Sequence, residues 1–276
     1  MDLTLIWKSI VMGIVEGLTE FLPVSSTGHL IIVGNFLQFE QSIGSKDVAD
    51  TFEIFIQLGA IVALILYFLR DLLRLLQRAP SDRAAQRLLL GIVLAFIPAA
   101  VVGLLFNKLI DEYLFSPFTV GIALVAGGLI ILVVENWVAR RTQTTTDLES
   151  VDLRQSVEIG VAQVASLFPG MSRSAATIVG GLLAGLDRPT ALRFSFYLSI
   201  PTMVAATLYS LYKDIHNIHS SQFVAFLIGL VVSFAVALVV IKWFLGYVAH
   251  HDFRPFAWYR LVLGLLMIAL YLPIPH

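Results

Sequence analysis

Residues 16–30 read EGLTEFLPVSSTGHL, a polar stretch embedded in apolar sequence. The stretch contains two carboxylates, three consecutive hydroxyl residues and a histidine. A proline and a glycine lie near the middle of the surrounding apolar segment, residues 9–39, and they disfavour one continuous helix. The stretch therefore predicts a break between two helices, at which polar groups gather in hydrophobic surroundings.

The composition indicates a membrane protein. The chain has 276 residues, of which 58% are hydrophobic and 13% are charged, whereas soluble domains carry about 25% charged residues. The net charge of -1 gives no reason to expect a nucleic-acid partner. The chain has no cysteine, which excludes disulfides, thiolate metal sites and cysteine nucleophiles.

Six segments are long and apolar enough to cross a bilayer. They are roughly residues 52–69, 88–106, 118–134, 194–212, 222–241 and 256–273. Two further apolar segments, residues 9–39 and 156–186, are interrupted. Non-helical backbone survives at membrane depth where it is buried in protein or lines a wet cavity. We therefore predict an all-α polytopic membrane protein with six transmembrane helices and two re-entrant helix hairpins.

Basic residues set the predicted orientation. If both hairpins re-enter, the basic residues of one face far outnumber those of the other, and the richer face is expected to be cytoplasmic. The richer face collects Arg70, Arg74, Arg78, Arg83, Arg87, Arg140, Arg141, Arg154, Arg188, Arg193, Lys242 and Arg254, and the other collects Lys8, Lys46, Lys108 and Lys213. Both termini and the mouth of the first hairpin would then face outward.

The two halves of the chain resemble one another in order and in polar positions. Matched positions are Gly13 with Gly160, Glu16 with Gln163, Phe21 with Phe168, Ser25 with Ser172, Thr27 with Ser174 and Phe52 with Phe194. Each half has one hairpin and three spans, and an odd number of crossings inverts the second half. We predict one membrane domain, residues 1–276, built from repeats of about 1–140 and 150–276 with a polar linker at about 141–152.

The first hairpin brings two carboxylates together. Glu16 and Glu20 are four residues apart and share one helix face, where like charges repel. A cation, a shared proton or an arginine must compensate this repulsion.

Hydroxyl residues follow in each hairpin where a second short helix is expected to begin. Helix N-termini with free N–H groups attract anions, and the planar fork of arginine suits phosphate oxygens. The residues concerned are Ser25, Ser26, Thr27 and His29 in the first hairpin, and Ser172, Arg173 and Ser174 in the second. Together they predict a phosphate pocket in the membrane, for a substrate whose other end is lipid.

Other interpretations of the same residues stay open at this point. Ser25 and Thr27 also fit ordinary helix caps, and Arg173 also fits a structural ion pair. Glu16 and Glu20 also fit the ion-coupling site of a transporter. Glu53, with Gln57, either extends the site or caps a helix.

The two polar motifs carry a family resemblance. EGLTEFLPVSSTGHL at 16–30 and PGMSRSAATI at 169–178 resemble the signature motifs of bacterial undecaprenyl-diphosphatases, the bacitracin-resistance membrane phosphatases. Length, spans and internal repeat agree with the same family over nearly the whole chain. The resemblance implies hydrolysis of undecaprenyl diphosphate to undecaprenyl phosphate and inorganic phosphate, which recycles the lipid carrier of cell-wall glycans. It also implies a bacterial plasma membrane location, a pocket open toward the periplasm, and bacitracin competing for the substrate.

The resemblance further implies a divalent cation, Mg²⁺ or Ca²⁺, and makes a homodimer plausible. The family's functional positions that match here are Glu16, Glu20, Ser26, His29 and Arg173. Ser26 is the favoured nucleophile and His29 the second choice, with Glu16 and Glu20 as candidate metal ligands. The diphosphate would contact Ser25, Thr27, Ser172, Arg173 and Ser174. The alternative function is a transporter that moves a polyprenyl phosphate across the bilayer, as inverted repeats and broken helices are transporter features.

Overall fold

Helices form the regular structure of the described part of the chain. The computed structural model describes residues 3–114, 116–214 and 222–271. Within these residues the β-structure is one isolated bridge, between Thr145 and Leu186. The α-helices are α1 Leu3–Thr19, α2 Ser26–Leu37, α3 Phe39–Ile43, α4 Lys46–Tyr67, α5 Leu69–Arg78, α6 Arg83–Tyr113, α7 Pro117–Val138, α8 Leu153–Gln163, α9 Arg173–Leu183, α10 Arg188–Asp214, α11 Phe223–Val248 and α12 Arg254–Leu270. Short 3-10 helices occupy Leu148–Ser150 and Val164–Leu167. The predicted all-α class is confirmed.

Polar residues mark where several of these helices begin. Ser116 and Thr119 form a reciprocal capping box at the start of α7, and Pro117 fills the first helical position. Asp152 and Gln155 form a second capping box at the start of α8. These pairs satisfy backbone N–H groups that the first turn of a helix leaves without an internal partner.

Five helices of the described chain are long and apolar enough to cross a membrane. They are Lys46–Tyr67, Arg83–Phe106, Pro117–Val138, Arg188–Tyr209 and Phe223–Val248. The sixth predicted span, about 256–273, falls on α12, which has 17 residues. The last two residues of that prediction, 272 and 273, lie outside the described residues. A multi-pass membrane protein is therefore supported, with α12 at the short end of the lengths that cross a bilayer.

The basic stretch 70–87 contains more structure than a loop. Helix α5 covers nine residues of it, 70–78, and carries leucines alternating with arginines at helical spacing. Its one fully buried side chain is Leu75, whereas Leu73 and Leu76 are exposed. An amphipathic helix of this kind suits a membrane surface. The sequence prediction described only the charge of this segment.

The two interrupted segments break at Pro23 and at Pro169 with Gly170, whereas Gly28, the glycine near the middle of the first segment, lies inside α2. Helices α1 and α2 are separated by residues 20–25, here called the first turn. The 3-10 helix that follows α8 is separated from α9 by residues 168–172, here called the second turn. Each turn joins two helices shorter than the roughly 20 residues that a crossing typically takes, although α1, with 17 residues, is as long as α12.

The hairpin of each half packs against the other half. Helix α1 packs along α11, and α8 packs along α6; α4 contacts α10, and α7 contacts α12. Glycines permit the closest approaches. A Cβ atom added at Gly13 would lie 2.6 Å from the carbonyl oxygen of Gly229, and one added at Gly160 would lie 2.5 Å from that of Ala95. The matched glycines of the two halves thus serve matched helix crossings.

The linker at 141–152 is held against both halves. The backbone N–H of Thr144 donates to the carbonyl of Gly185 at 3.1 Å. The Arg78 guanidinium donates to Glu149 through two nitrogens, at 2.8 and 2.9 Å. The linker is therefore an ordered connection rather than a free tether.

We expect Gly13→Ala to destabilise the protein, because the new methyl group would clash with backbone atoms of α11, and relieving the clash requires the helix itself to shift. Overpacking of this kind costs about 1–3 kcal/mol. The measurement is the thermal unfolding midpoint in detergent. Gly246→Ala is the matched control, since a Cβ added there meets nothing within 4 Å. Equal midpoints for the two variants would contradict the packing argument.

Candidate active site

The two turns share an unusual backbone conformation. Ser25 and Ser172 each precede a helix and have φ values of 71° and 70°. Non-glycine residues rarely adopt positive φ, and the strain costs about 1–3 kcal/mol per residue. Each serine caps its helix: Ser25 Oγ accepts from the N–H of Gly28 at 3.5 Å, and Ser172 Oγ accepts from the N–H of Ala175 at 3.3 Å. The cap expected at Ser25 is present and Ser172 supplies the matching cap in the second hairpin, whereas Thr27 lies within α2 and is not its N-cap.

A single carboxylate joins the two turns. Ser26 Oγ donates to Glu20 Oε2 at 2.7 Å, and Arg173 Nη2 donates to Glu20 Oε1 at 3.0 Å. The side chains of Glu20 and Arg173 are 6% and 12% exposed, so the pair is shielded from solvent. A carboxylate at hydrogen-bond distance from a hydroxyl is placed to take its proton, which makes Ser26 a candidate nucleophile.

The Arg173 guanidinium keeps donors for a ligand. Its Nε and Nη1 atoms are buried, and neither has a hydrogen-bond partner among the described residues. Nη2 also lies 2.9 Å from Met203 Sδ, and the guanidinium carbon lies 5.9 Å from the centre of the Phe21 ring. Unpaired buried donors cost free energy unless something accepts from them. Nε and Nη1 lie on different edges of the guanidinium, so two acceptors, such as two oxygens of a diphosphate, would satisfy both nitrogens.

Glu16 also keeps an atom for a ligand. Its side chain is 1% exposed, and Oε1 has no hydrogen-bond partner within the described chain. The charges of Glu20, Glu53 and Arg173 lie within electrostatic range. No group of three or more His, Cys, Asp or Glu side chains suited to a metal occurs in the described residues. One free carboxylate oxygen fits a Mg²⁺ ion that takes its other ligands from substrate phosphates and water.

His29 is held at both ring nitrogens. Nδ1 lies 2.7 Å from the carbonyl oxygen of Ser25, and Nε2 lies 2.6 Å from the hydroxyl of Tyr259. A carbonyl oxygen only accepts, so Nδ1 carries the proton and a neutral ring accepts from Tyr259 at Nε2. The two rings are also stacked, with centroids 5.5 Å apart. His29 is therefore placed to exchange a proton with Tyr259, whereas attack on phosphorus by Nε2 would first require this bond to break.

The hydroxyls of the second turn are occupied by the protein. Ser174 Oγ donates to the carbonyl of Leu22 at 2.8 Å, and Ser172 Oγ lies 3.0 Å from Ser174 Oγ. Both serines are buried. These bonds tie the second turn to the first. Thr27 lies at the start of α2 and is half-buried.

The structure thus brings Glu20, Ser26 and Arg173 into direct contact and places Glu16 in the same electrostatic environment. His29 lies to one side, against α12. Sequence reasoning assigned no role to Tyr259 or to Arg260, its buried neighbour on α12. The sequence did contain an indication for Arg260, because placing a charged residue inside an apolar span costs free energy and such residues are usually functional.

The chain is similar to known proteins over nearly its whole length. A family model described as bacitracin resistance protein BacA matches residues 9–266. The chain is 50% identical, over 96% of its own length and 97% of the relative's, to the undecaprenyl-diphosphatase of Thermoanaerobacter sp. (strain X514). It is 45% identical to the undecaprenyl-diphosphatase of Polaromonas naphthalenivorans (strain CJ2), over 98% of its own length and 96% of the relative's. It is 46% identical to the undecaprenyl-diphosphatase of Nitrosomonas eutropha (strain DSM 101675 / C91 / Nm57), over 97% of its own length and 95% of the relative's.

We expect Ser174→Ala to lower the thermal unfolding midpoint by about 2–4 °C, because a buried hydrogen bond between the turns contributes about 1 kcal/mol. The measurement is thermal unfolding of purified protein in detergent. Ser81→Ala, which removes an exposed hydroxyl, is the control and should leave the midpoint unchanged. An unchanged midpoint for Ser174→Ala would mean that this hydroxyl does not help to join the turns.

Proposed function

The chain belongs to the bacitracin resistance protein BacA family, and we propose that it is a membrane phosphatase that hydrolyses undecaprenyl diphosphate to undecaprenyl phosphate and inorganic phosphate. This reaction recycles the lipid carrier for cell-wall glycan synthesis and gives resistance to bacitracin, which competes for the substrate. The observation that carries the proposal is the Glu20 carboxylate, which accepts from the Ser26 hydroxyl and from Arg173.

In the first step Ser26 Oγ attacks the terminal phosphorus while its proton passes to Glu20 Oε2. The bond from that phosphorus to the bridging oxygen breaks, and undecaprenyl phosphate leaves with the bridging oxygen. Arg173 donates from Nε and Nη1 to the phosphate oxygens, on which negative charge grows. The product of this step is a phosphoserine at position 26.

In the second step water attacks the phosphoserine and gives up a proton to a protein base. The bond from phosphorus to Ser26 Oγ breaks, inorganic phosphate leaves, and Ser26 Oγ takes back the proton that Glu20 received in the first step. Because Glu20 holds that proton until then, His29 is the group that accepts the proton of the attacking water. Attack by His29 is the alternative, and Ser26 is preferred because its hydroxyl already donates to a base.

We propose that Glu16, rather than Glu20, is the main protein ligand of the divalent cation. Glu16 Oε1 has no partner in the described chain, whereas both oxygens of Glu20 are engaged. A bound cation would neutralise charge on the diphosphate. Ser172 and Ser174 are assigned here to joining the turns, and direct diphosphate contact is assigned to Arg173 and the start of α2, with Ser25 and Thr27.

The proposed membrane arrangement has six crossings and two re-entrant hairpins in two inverted repeats. The matched packing of α1 on α11 and of α8 on α6 supports it. The excess of arginine on one face supports a pocket open to the periplasmic side of the bacterial plasma membrane. The homodimer expected from the resemblance stays a prediction.

We expect Ser26→Ala to lower phosphate release from undecaprenyl diphosphate by roughly 10³-fold or more, because the attacking atom is removed. Arg173→Lys should lower it by about 10²-fold, since lysine lacks the planar fork. The assay is release of inorganic phosphate by purified protein in detergent. Ser9→Ala, which removes a buried hydroxyl bonded to the Leu5 carbonyl, is the control.

Two results would contradict this assignment. Wild-type rates in Ser26→Ala would remove Ser26 as nucleophile, and complete loss in His29→Gln would then transfer that role to His29. Absence of phosphate release from folded wild-type protein would overturn the phosphatase proposal itself.

Glu16→Gln should raise the Mg²⁺ concentration needed for half-maximal phosphate release by about 10-fold or more, because a neutral amide is a poorer ligand than a carboxylate. The measurement is a magnesium titration of the initial rate. Glu40→Gln, which neutralises an exposed glutamate, is the matched control and should leave the titration unchanged. An unshifted titration in Glu16→Gln would place the cation elsewhere.

A further inference from the structure

Arg260 is the largest fully buried side chain of the described residues, with an exposed fraction of 0%. An arginine has five N–H donors, and all five are accounted for by backbone carbonyl oxygens. Nε donates to Leu124 at 3.3 Å, Nη1 to Pro23 at 3.2 Å and Met171 at 3.0 Å, and Nη2 to Ala123 at 3.3 Å and Gly170 at 3.0 Å.

These five carbonyls come from three separate elements. Pro23 belongs to the first turn, and Gly170 and Met171 belong to the second. Ala123 and Leu124 belong to α7. One guanidinium therefore links the two turns to each other and to a long helix that supports both.

The surroundings of Arg260 are shaped for this contact. A Cβ atom added at Gly127 would collide with the Arg260 guanidinium, so the absence of a side chain there makes the room. Gly170 has a φ of 95°, and a Cβ added there would lie 2.6 Å from the Val120 carbonyl oxygen of α7. The second turn is thus pressed against α7 at the level of the arginine.

An ordinary structural ion pair offers a contrast. Arg188 is held by Glu135, whose carboxylate is fully buried and also accepts from the N–H of Phe253. Among the described residues Arg260 has no acidic partner. Buried charges are normally paired, because desolvation is expensive. A buried, unpaired arginine that donates to carbonyls of both turns is explained if the site requires those turns to keep a fixed position.

Ser26 lies three residues after Pro23, and Arg173 lies two residues after Met171. We infer that Arg260 is a positioning residue, which holds the first and second turns at the separation that lets Ser26 and Arg173 reach the same Glu20 carboxylate. The inference rests on the proposed function, since it assigns Ser26 as attacking group and Arg173 as clamp. Tyr259, the preceding residue, contacts His29, so α12 supports the site at two adjacent positions.

The test compares Arg260→Gln and Arg260→Lys with Arg188→Gln, the matched control. The measurements are kcat and KM for undecaprenyl diphosphate, corrected for the folded fraction by size exclusion, and the thermal midpoint. A displacement of about 1 Å in a catalytic constellation costs about 10²-fold in rate. We expect kcat of Arg260→Gln to fall by about that factor while KM rises much less, and Arg260→Lys to recover part of the loss. Arg188→Gln should lose stability and keep kcat.

A distance measurement tests the same inference without relying on activity. The chain has no cysteine, so nitroxide labels can be attached at Leu18→Cys and Phe168→Cys, which are 44% and 50% exposed beside the two turns. Double electron–electron resonance should give a broader distribution of the distance between the two labels in Arg260→Gln than in wild type or Arg188→Gln. Gly127→Ala, which displaces the guanidinium and keeps its charge, should broaden it too.

The outcomes separate the inference from the proposed function. Wild-type kcat and an unbroadened distance in folded Arg260→Gln would overturn the positioning role. Equal losses of kcat in Arg260→Gln and Arg188→Gln would overturn it as well, because a general loss of stability would then suffice. Wild-type protein that releases no phosphate would overturn the proposed function, and the distance measurement would still decide whether Arg260 holds the turns. If Arg260→Gln does not fold, Gly127→Ala decides.

Discussion

Carbonyl groups that leave a helix at membrane depth need donors from the protein, because lipid supplies none. In this protein the Arg260 guanidinium donates to the carbonyls of Pro23, Gly170 and Met171. In the proposed re-entrant arrangement, the breaks in both hairpins are tolerated because this donor set lies between them. Everything that the site contains follows from those breaks, since they end α1 and begin α2 and α9 where polar side chains can meet.

The site also depends on how charge is balanced once the turns meet. Glu20 is nearly buried, and its carboxylate is neutralised by Arg173 from the other half of the chain. The same carboxylate accepts from Ser26, so one group both anchors the clamp and serves as a base. Ser174 adds a neutral bond to the Leu22 carbonyl. Charged and neutral bonds together keep the second turn against the first.

Much of this arrangement was predictable from local sequence. The proline of each hairpin, with Gly170 in the second, locates the break. The hydroxyl residues predict caps, and the repulsion between Glu16 and Glu20 calls for a cation or an arginine. The sequence could not predict that Tyr259 holds His29, because a contact between residues 230 apart leaves no periodic pattern. For the same reason the uses of Ser174 and Arg260 were missed. Hydroxyl and guanidinium groups bind backbone as readily as phosphate, and only the geometry distinguishes the two.

Ser25 and Ser172 have nearly the same backbone conformation, yet the residue that follows is a serine in one half and an arginine in the other. In an assembly of two identical chains, a single residue type would have to occupy both places. Fusing the halves into one polypeptide lets the two positions diverge, so one can specialise in attack and the other in holding the anion. Neither half then contains a complete set of reacting groups.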